Sequence, residues 1–158
     1  MRSYLDEFDR RDWQEESPDG TVRLAVIGLG WFAREQALPG IEKSEFSETT
    51  VLVTGSPEAS QQLAAENGVE HVLSYEAFHD GEAEDAYDAV YVATPTGRHL
   101  EYVETAADLG KAVLCEKPME KTVERAERLQ ETCEEAGVPL MVGYRPRLEP
   151  DFRRAPAS

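Results

Sequence analysis

From residue 21 onward, short apolar runs alternate with amphipathic stretches. Val22, Leu24, Val26 and Ile27 form the first run, with Ala25 filling a small site. Runs this short and this apolar predict buried parallel strands rather than half-exposed ones. Further runs at 49–54, 69–74, 87–93, 112–115 and 139–143 complete a set of six predicted strands. Helical spacing fills the intervals. It predicts a helix over 31–46, kinked at Pro39-Gly40, then helices over 57–67, 96–109 and 122–136 and a single turn at 75–79. Gly68, Gly110 and Gly137 follow helical segments, as helix-ending residues do.

Strand and helix alternate with short links, so the pattern is a series of βαβ units closing on a parallel sheet covered on both faces. The predicted fold class is α/β, a Rossmann-type doubly wound sheet with strand order 3-2-1-4-5-6. Residues 1–20 are polar and end on the turn signal Ser17-Pro18-Asp19-Gly20; they are expected to be an acidic tail, with a short helix over 4–13. Residues 21–145 make the nucleotide-binding unit. Residues 146–158 are rich in Arg and Pro, without a period, and are expected to be a linker or the start of a second domain.

Composition narrows the classes. The chain has 158 residues, enough for one core of ordinary size. No apolar run approaches the roughly 20 residues of a membrane span. The first 20 residues lack the apolar segment of a secretory signal. Cys115 and Cys133 have neither disulfide-framework nor zinc-site spacing, and His71, His79 and His99 show no ligand spacing, so no metal is expected. Both cysteines are expected to be reduced thiols in the cytoplasm. The charge is unusual: 32 acidic against 16 basic residues, a net of −16, and only four of the bases are lysines. Such self-repulsion is tolerable where concentrated salt shortens the Debye length to about 3 Å. A halophilic cytoplasm is therefore expected, and nucleic acid is not a partner.

Three segments carry candidate chemistry. Gly28-Leu29-Gly30-Trp31-Phe32-Ala33 follows the first strand directly, a G-x-G-x-x-A turn in the context that dinucleotide binding requires. Gly28 permits the tight turn, Gly30 lets a pyrophosphate approach the backbone, and Ala33 allows close helix–strand packing. A tight turn without ligand and a glycine-turn methyltransferase are the alternatives. The second strand ends in Thr54-Gly55-Ser56-Pro57, with no carboxylate to repel a 2′-phosphate. NADP is therefore expected over NAD; Ser56 can bind that phosphate, or cap the next helix with Pro57 behind it. The fourth strand ends in Ala93-Thr94-Pro95-Thr96-Gly97-Arg98-His99, placed by the strand-end rule beside the nicotinamide half. Thr94, Pro95 and Thr96 line it, although Thr96 can equally cap the next helix. His99 joins the cofactor side unless it is an exposed histidine without a role. The fifth strand presents Glu116-Lys117-Pro118 where ligands bind in open α/β sheets.

Together, G-x-G-x-x-A, A-T-P-T-x-x-H and V-L-C-E-K-P-M resemble the Gfo/Idh/MocA oxidoreductases over about residues 21–145. Within that family the acidic character, the Gly-Leu-Gly-Trp-Phe turn and Thr54-Gly55-Ser56 look most like haloarchaeal sugar dehydrogenases of the D-xylose 1-dehydrogenase kind. The resemblance implies hydride transfer between nicotinamide and a carbinol carbon of a sugar or polyol. It implies that Lys117 is the catalytic lysine contacting the reacting hydroxyl, with Glu116 orienting the site, and that Trp31, Phe32, Glu116 and Lys117 join the cofactor-side set. A lysine can polarise such a hydroxyl or relay its proton. Lys117-Pro118 is a candidate cis peptide. Tyr144 and Arg145, after the sixth strand, would face substrate, or simply turn the chain out of the domain. Family members carry a further α+β domain, which supplies oligomer contacts, most sugar contacts and a completing Asp/His pair. This chain is therefore expected to be a cofactor-binding part of a homo-oligomeric enzyme, weakly active alone. The alternative is a non-catalytic dinucleotide-binding or regulatory module.

Overall fold

A computed structural model describes residues 20–144. The expected tail and its helix over 4–13, the segment 146–158, and Arg145 lie outside the described residues. The described residues form six strands: β1 (Val22–Ile27), β2 (Ser47–Thr54), β3 (His71–Ser74), β4 (Ala89–Val92), β5 (Ala112–Cys115) and β6 (Leu140–Val142). All neighbours pair in parallel, in the order β3-β2-β1-β4-β5-β6. The sheet is the doubly wound Rossmann arrangement.

Register explains why the strands look apolar without alternation. Val26 lies opposite Leu52 and Tyr91, and Tyr91 opposite Leu114, which lies opposite Met141. Val26, Leu52 and Tyr91 pack with Ala33, Leu38 and Ala64 on one face. The residues of opposite parity, among them Ala25, Ile27, Val51, Val53, Val90, Val92, Val113 and Cys115, form the larger core on the other face. Both faces are buried at the centre of the sheet, so the large side chains there are hydrophobic, while Arg23, Glu48 and His71 lie toward the strand starts.

Among the described residues, five helices cover the sheet. A π-helical turn, Ala33–Ala37, runs on into α1 (Leu38–Glu42). A 3₁₀ turn, Glu58–Ser60, runs into α2 (Gln61–Glu66). Helices α3 (Tyr75–His79), α4 (His99–Asp108) and α5 (Val123–Ala136) follow. Tyr102, Val103 and Ala106 of α4 and Leu129 and Cys133 of α5 enter the larger core. Pro39 bends the first helix as expected, but the bend takes the form of a widened turn. Leu38 N–H reaches back five residues to Ala33 O, and Pro39 has no N–H with which to continue the ladder. That helix also ends earlier than expected, and β2 begins at Ser47.

Helix α5 shows the local rules most plainly. Thr122 caps it, accepting from Arg125 N at 3.2 Å, and Gly137 closes it at φ 68°. Helix α4 starts at His99 rather than at residue 96, with Arg98 as its N-cap and no side-chain cap. Thr96 therefore does not cap it. The strand order reverses between β1 and β4, which opens a crevice at their carboxyl ends.

Candidate active site

The crevice begins at Gly28. Its φ is +89°, and a Cβ there would lie 2.9 Å from both Thr94 N and Thr94 Cγ2. Glycine is required here by backbone conformation and by the close approach of the β4 end, independent of any ligand. Gly30 is different: a Cβ built on it meets nothing within 4 Å. Its N–H and that of Leu29 bond to no described residue, whereas Gly28 N–H is spent on Val53 O at 2.9 Å. The turn thus presents open backbone beside two free donors, a surface that fits a pyrophosphate. Ala33 is buried at 1% exposure, packed on the sheet. Phe32 is half-buried beside that core, and Trp31 stands at the crevice rim with 71% of its surface exposed.

At the end of β2, Thr54 is buried and its Oγ1 accepts from Ser56 N at 3.3 Å. The threonine therefore shapes the turn from inside. Ser56 is exposed, and its hydroxyl bonds to no described residue. The expected N-cap does not form: Pro57, not Ser56, is the capping position of the 3₁₀ turn, and no side chain caps it. The hydroxyl is left available, next to backbone that carries no carboxylate. Gly55 packs close to Tyr75, whose Cε2 would lie 3.3 Å from a Cβ at that position.

At the end of β4, Thr94 is 5% exposed, and its Oγ1 is buried without a partner among the described residues. Pro95 is exposed and Thr96 half-buried on the same loop. His99 departs from expectation. It is 1% exposed, with Nε2 2.8 Å from Thr94 O and Nδ1 3.0 Å from Met119 O. Cys115 Sγ lies 3.3 Å from Nδ1. Neither an exposed bystander nor a group open to a cofactor, the ring is enclosed by backbone carbonyls.

At the end of β5, the Lys117-Pro118 peptide is cis. Lys117 is exposed, and its ammonium makes no bond to a described residue; burial of that side chain is not supplied by these residues. Glu116 is half-buried. One carboxylate oxygen accepts from Tyr91 OH and the other from Lys117 N at 3.2 Å. Tyr91 rises from the middle of the sheet, so the carboxylate is aimed from the core. Tyr144 is 52% exposed just beyond β6. The structure thus gathers Gly28, Gly30, Thr94, Glu116 and Lys117 along one edge, the carboxyl ends of β1, β4 and β5.

Two residues that sequence reasoning missed complete the β5 end. Glu120 is 7% exposed, and its side chain is fully covered. It accepts from Lys121 N at 2.8 Å, Leu100 N at 3.2 Å, and Arg125 Nε and Nη2 at 3.1 Å each. Burial alone would raise its pKa. The Arg125 guanidinium, the two backbone N–H groups and the arginine charge outweigh it and hold the pKa at about 2. Spacing could not reveal this pair, because Glu120 lies outside α5 and five residues from Arg125, a separation that places no two residues on one helix face. Cys115 is a chemically quiet neighbour. Burial, then the charges of Glu116 and Glu120, push its thiol up to about 12.

Comparison with known proteins agrees with this geometry. Residues 22–144 match the Gfo/Idh/MocA family, described as an oxidoreductase family with an NAD-binding Rossmann fold. The chain is 56% identical over 150 residues to an NADP(+) D-xylose 1-dehydrogenase of Haloarcula marismortui, covering 94% of this chain and 42% of that protein. Among solved structures, an aldose-aldose oxidoreductase from Caulobacter crescentus superposes with a TM-score of 0.76 at 38% identity, covering 80% of this chain and 38% of that one. A 3-ketoreductase from Actinomadura kijaniata, solved with NADP and TDP-benzene, superposes with a TM-score of 0.72 at 33% identity, covering 79% and 39%. The chain therefore spans about two fifths of the length of the relatives it matches.

Proposed function

The chain belongs to the Gfo/Idh/MocA oxidoreductase family, and on that premise we propose that it is the dinucleotide-binding part of an NADP-dependent sugar dehydrogenase. The observation that carries this reading is the edge where the open backbone at Gly30, with its two free N–H groups, lies in line with Lys117. Leu29 and Gly30 N–H would hold the pyrophosphate. Ser56, with its free hydroxyl and no carboxylate at the β2 end, would receive the 2′-phosphate. Thr94, Pro95 and Thr96 would line the nicotinamide side. Bound there, the nicotinamide would accept a hydride from the substrate carbinol carbon. Lys117 Nζ would contact the reacting hydroxyl and relay its proton, while Tyr91 fixes Glu116 beside it. Tyr144 would face the substrate. An aldose such as D-xylose is the substrate class suggested by the Haloarcula relative.

Titration of the chain in molar KCl with NADPH, NADH and S-adenosylmethionine tests the cofactor part. NADPH should bind more tightly than NADH, and S-adenosylmethionine not at all; tight binding of S-adenosylmethionine alone would refute it. Lys117→Ala in a gene product that includes a second domain should lower kcat on aldoses by orders of magnitude. Unchanged kcat would remove Lys117 from catalysis.

A further inference from the structure

Two loops meet at the reacting end of the site, 93–98 after β4 and 116–121 after β5. Side chains tie them together at three points. The His99 ring spans from Thr94 O, at 2.8 Å, to Met119 O, at 3.0 Å. The Glu120 carboxylate reaches across to Leu100 N in the first turn of α4, at 3.2 Å. Arg125 grips both Glu120 oxygens at 3.1 Å and also donates to Gly97 O at 3.1 Å. We propose that His99, Glu120 and Arg125 are positioning residues that lock the two loops into one body, so that Lys117 and Thr94 hold a fixed separation across the nicotinamide end. This inference rests on the dinucleotide reading above.

The network connects the loops rather than stabilising each one alone. The contacts that cross from one side to the other are those of His99 with Met119 O, of Glu120 with Leu100 N and of Arg125 with Gly97 O. A covered carboxylate is costly unless fully hydrogen-bonded, and Glu120 has donors from three separate residues. Its burial therefore enforces the loop geometry: moving one loop would leave a buried charge short of donors. Lys117 is not part of the network. It stands two residues before Met119 and three before Glu120, so its backbone is fixed while its side chain stays free. Thr94 is held from the other side, its carbonyl by His99 and its N–H close against Gly28.

A purely stabilising network would affect all ligands alike, whereas a positioning one should affect only the nicotinamide half. The adenosine-half analogue 2′,5′-ADP therefore serves as the internal control. The purified chain, Arg125→Ala and Glu120→Gln would be titrated with NADPH and with 2′,5′-ADP, recording bound NADPH fluorescence. Arg125→Ala takes the charged partner from the covered Glu120 carboxylate, so circular dichroism and 2′,5′-ADP binding first confirm that each variant is folded before NADPH is compared. Both variants should bind 2′,5′-ADP as the wild type does. Their NADPH dissociation constants should rise about fivefold or more, and the emission of bound NADPH should shift toward that of the free coenzyme. If Arg125→Ala matches the wild type in NADPH affinity and emission, the positioning role is refuted while the dinucleotide reading stands. If the wild-type chain binds neither ligand, the dinucleotide reading falls and this one with it.

Discussion

Glutamate 120 offers a quantitative test of the electrostatics at the β5 end. Its carboxyl is held at about 2, against an ordinary 4.5 for glutamate. Because the folded-state value is depressed, the stability it contributes is fully present above about pH 4.5 and is lost as pH falls toward 2. A gap of about 2.5 units corresponds to about 3 kcal/mol at full ionisation. Glu120→Gln removes this titration. Its amide cannot reproduce the charge attraction to Arg125, although one oxygen can still accept from Leu100 N or Lys121 N. The measurement is urea unfolding of wild type and Glu120→Gln at pH 6 and pH 2.5, at equal KCl. At pH 6 the wild type should be more stable, and its advantage should shrink by about 2–3 kcal/mol at pH 2.5. Protonation of the many surface carboxylates also carries the chain from a net charge of −16 to a strongly positive one. That effect is common to both proteins and cancels in the difference. An advantage that stays constant between the two pH values, within about 0.5 kcal/mol, would refute the assignment of Glu120 as a buried, paired carboxylate.

The glycine turn gives a contrast between two substitutions. Gly28→Ala must adopt φ near +89° and place a Cβ 2.9 Å from Thr94, so it should destabilise by about 1–3 kcal/mol in denaturant unfolding. Gly30→Val meets open space, so it should leave stability within about 1 kcal/mol while weakening NADPH at least about tenfold by titration. Ser56→Ala should change stability by less than about 0.5 kcal/mol, because no cap bond is lost, yet reduce the preference for NADPH over NADH. Melting temperature should rise between dilute buffer and about 2 M KCl as salt screens the acidic surface; equal values would count against a halophilic origin.

Much of the fold was legible because its determinants are local. Residues 24–27 and 112–115 carry enough apolar residues in a row to mark strands covered on both faces. Gly137 and Thr122 mark the ends of α5 by their own chemistry. Boundaries shifted where tertiary pairing decides them. β2 extends back to Ser47 because Ser47 pairs with Val22 on β1, and no local signal marks that contact. Ser56 does not cap the next helix, because the 3₁₀ turn starts one residue later, with Pro57 at the capping position. His99 lies in the first turn of α4, where the pattern puts it, but its ring is turned inward and buried. The pattern A-T-P-T-x-x-H fixes its place in the chain, whereas the carbonyl it meets at Met119 lies 20 residues further on.

By itself, the amino-acid sequence determined the strand order, the glycine turn and the lysine at the end of β5. These follow from hydrophobic period, from residues with special backbone freedom, and from the rule that ligands sit beyond the carboxyl ends of parallel strands. Only the tertiary structure decided which polar side chains serve the fold rather than the cofactor. The motif gives Gly28 and Gly30 different roles, and their surroundings differ to match: Gly28 backs onto Thr94 and Gly30 onto empty space. Glu120 and Arg125 look like surface charges until Leu100 and Gly97 arrive from another loop to complete their hydrogen bonds. The reason is physical: a hydrogen bond between loops far apart in sequence depends on where both backbones come to rest, and neither segment alone carries that information.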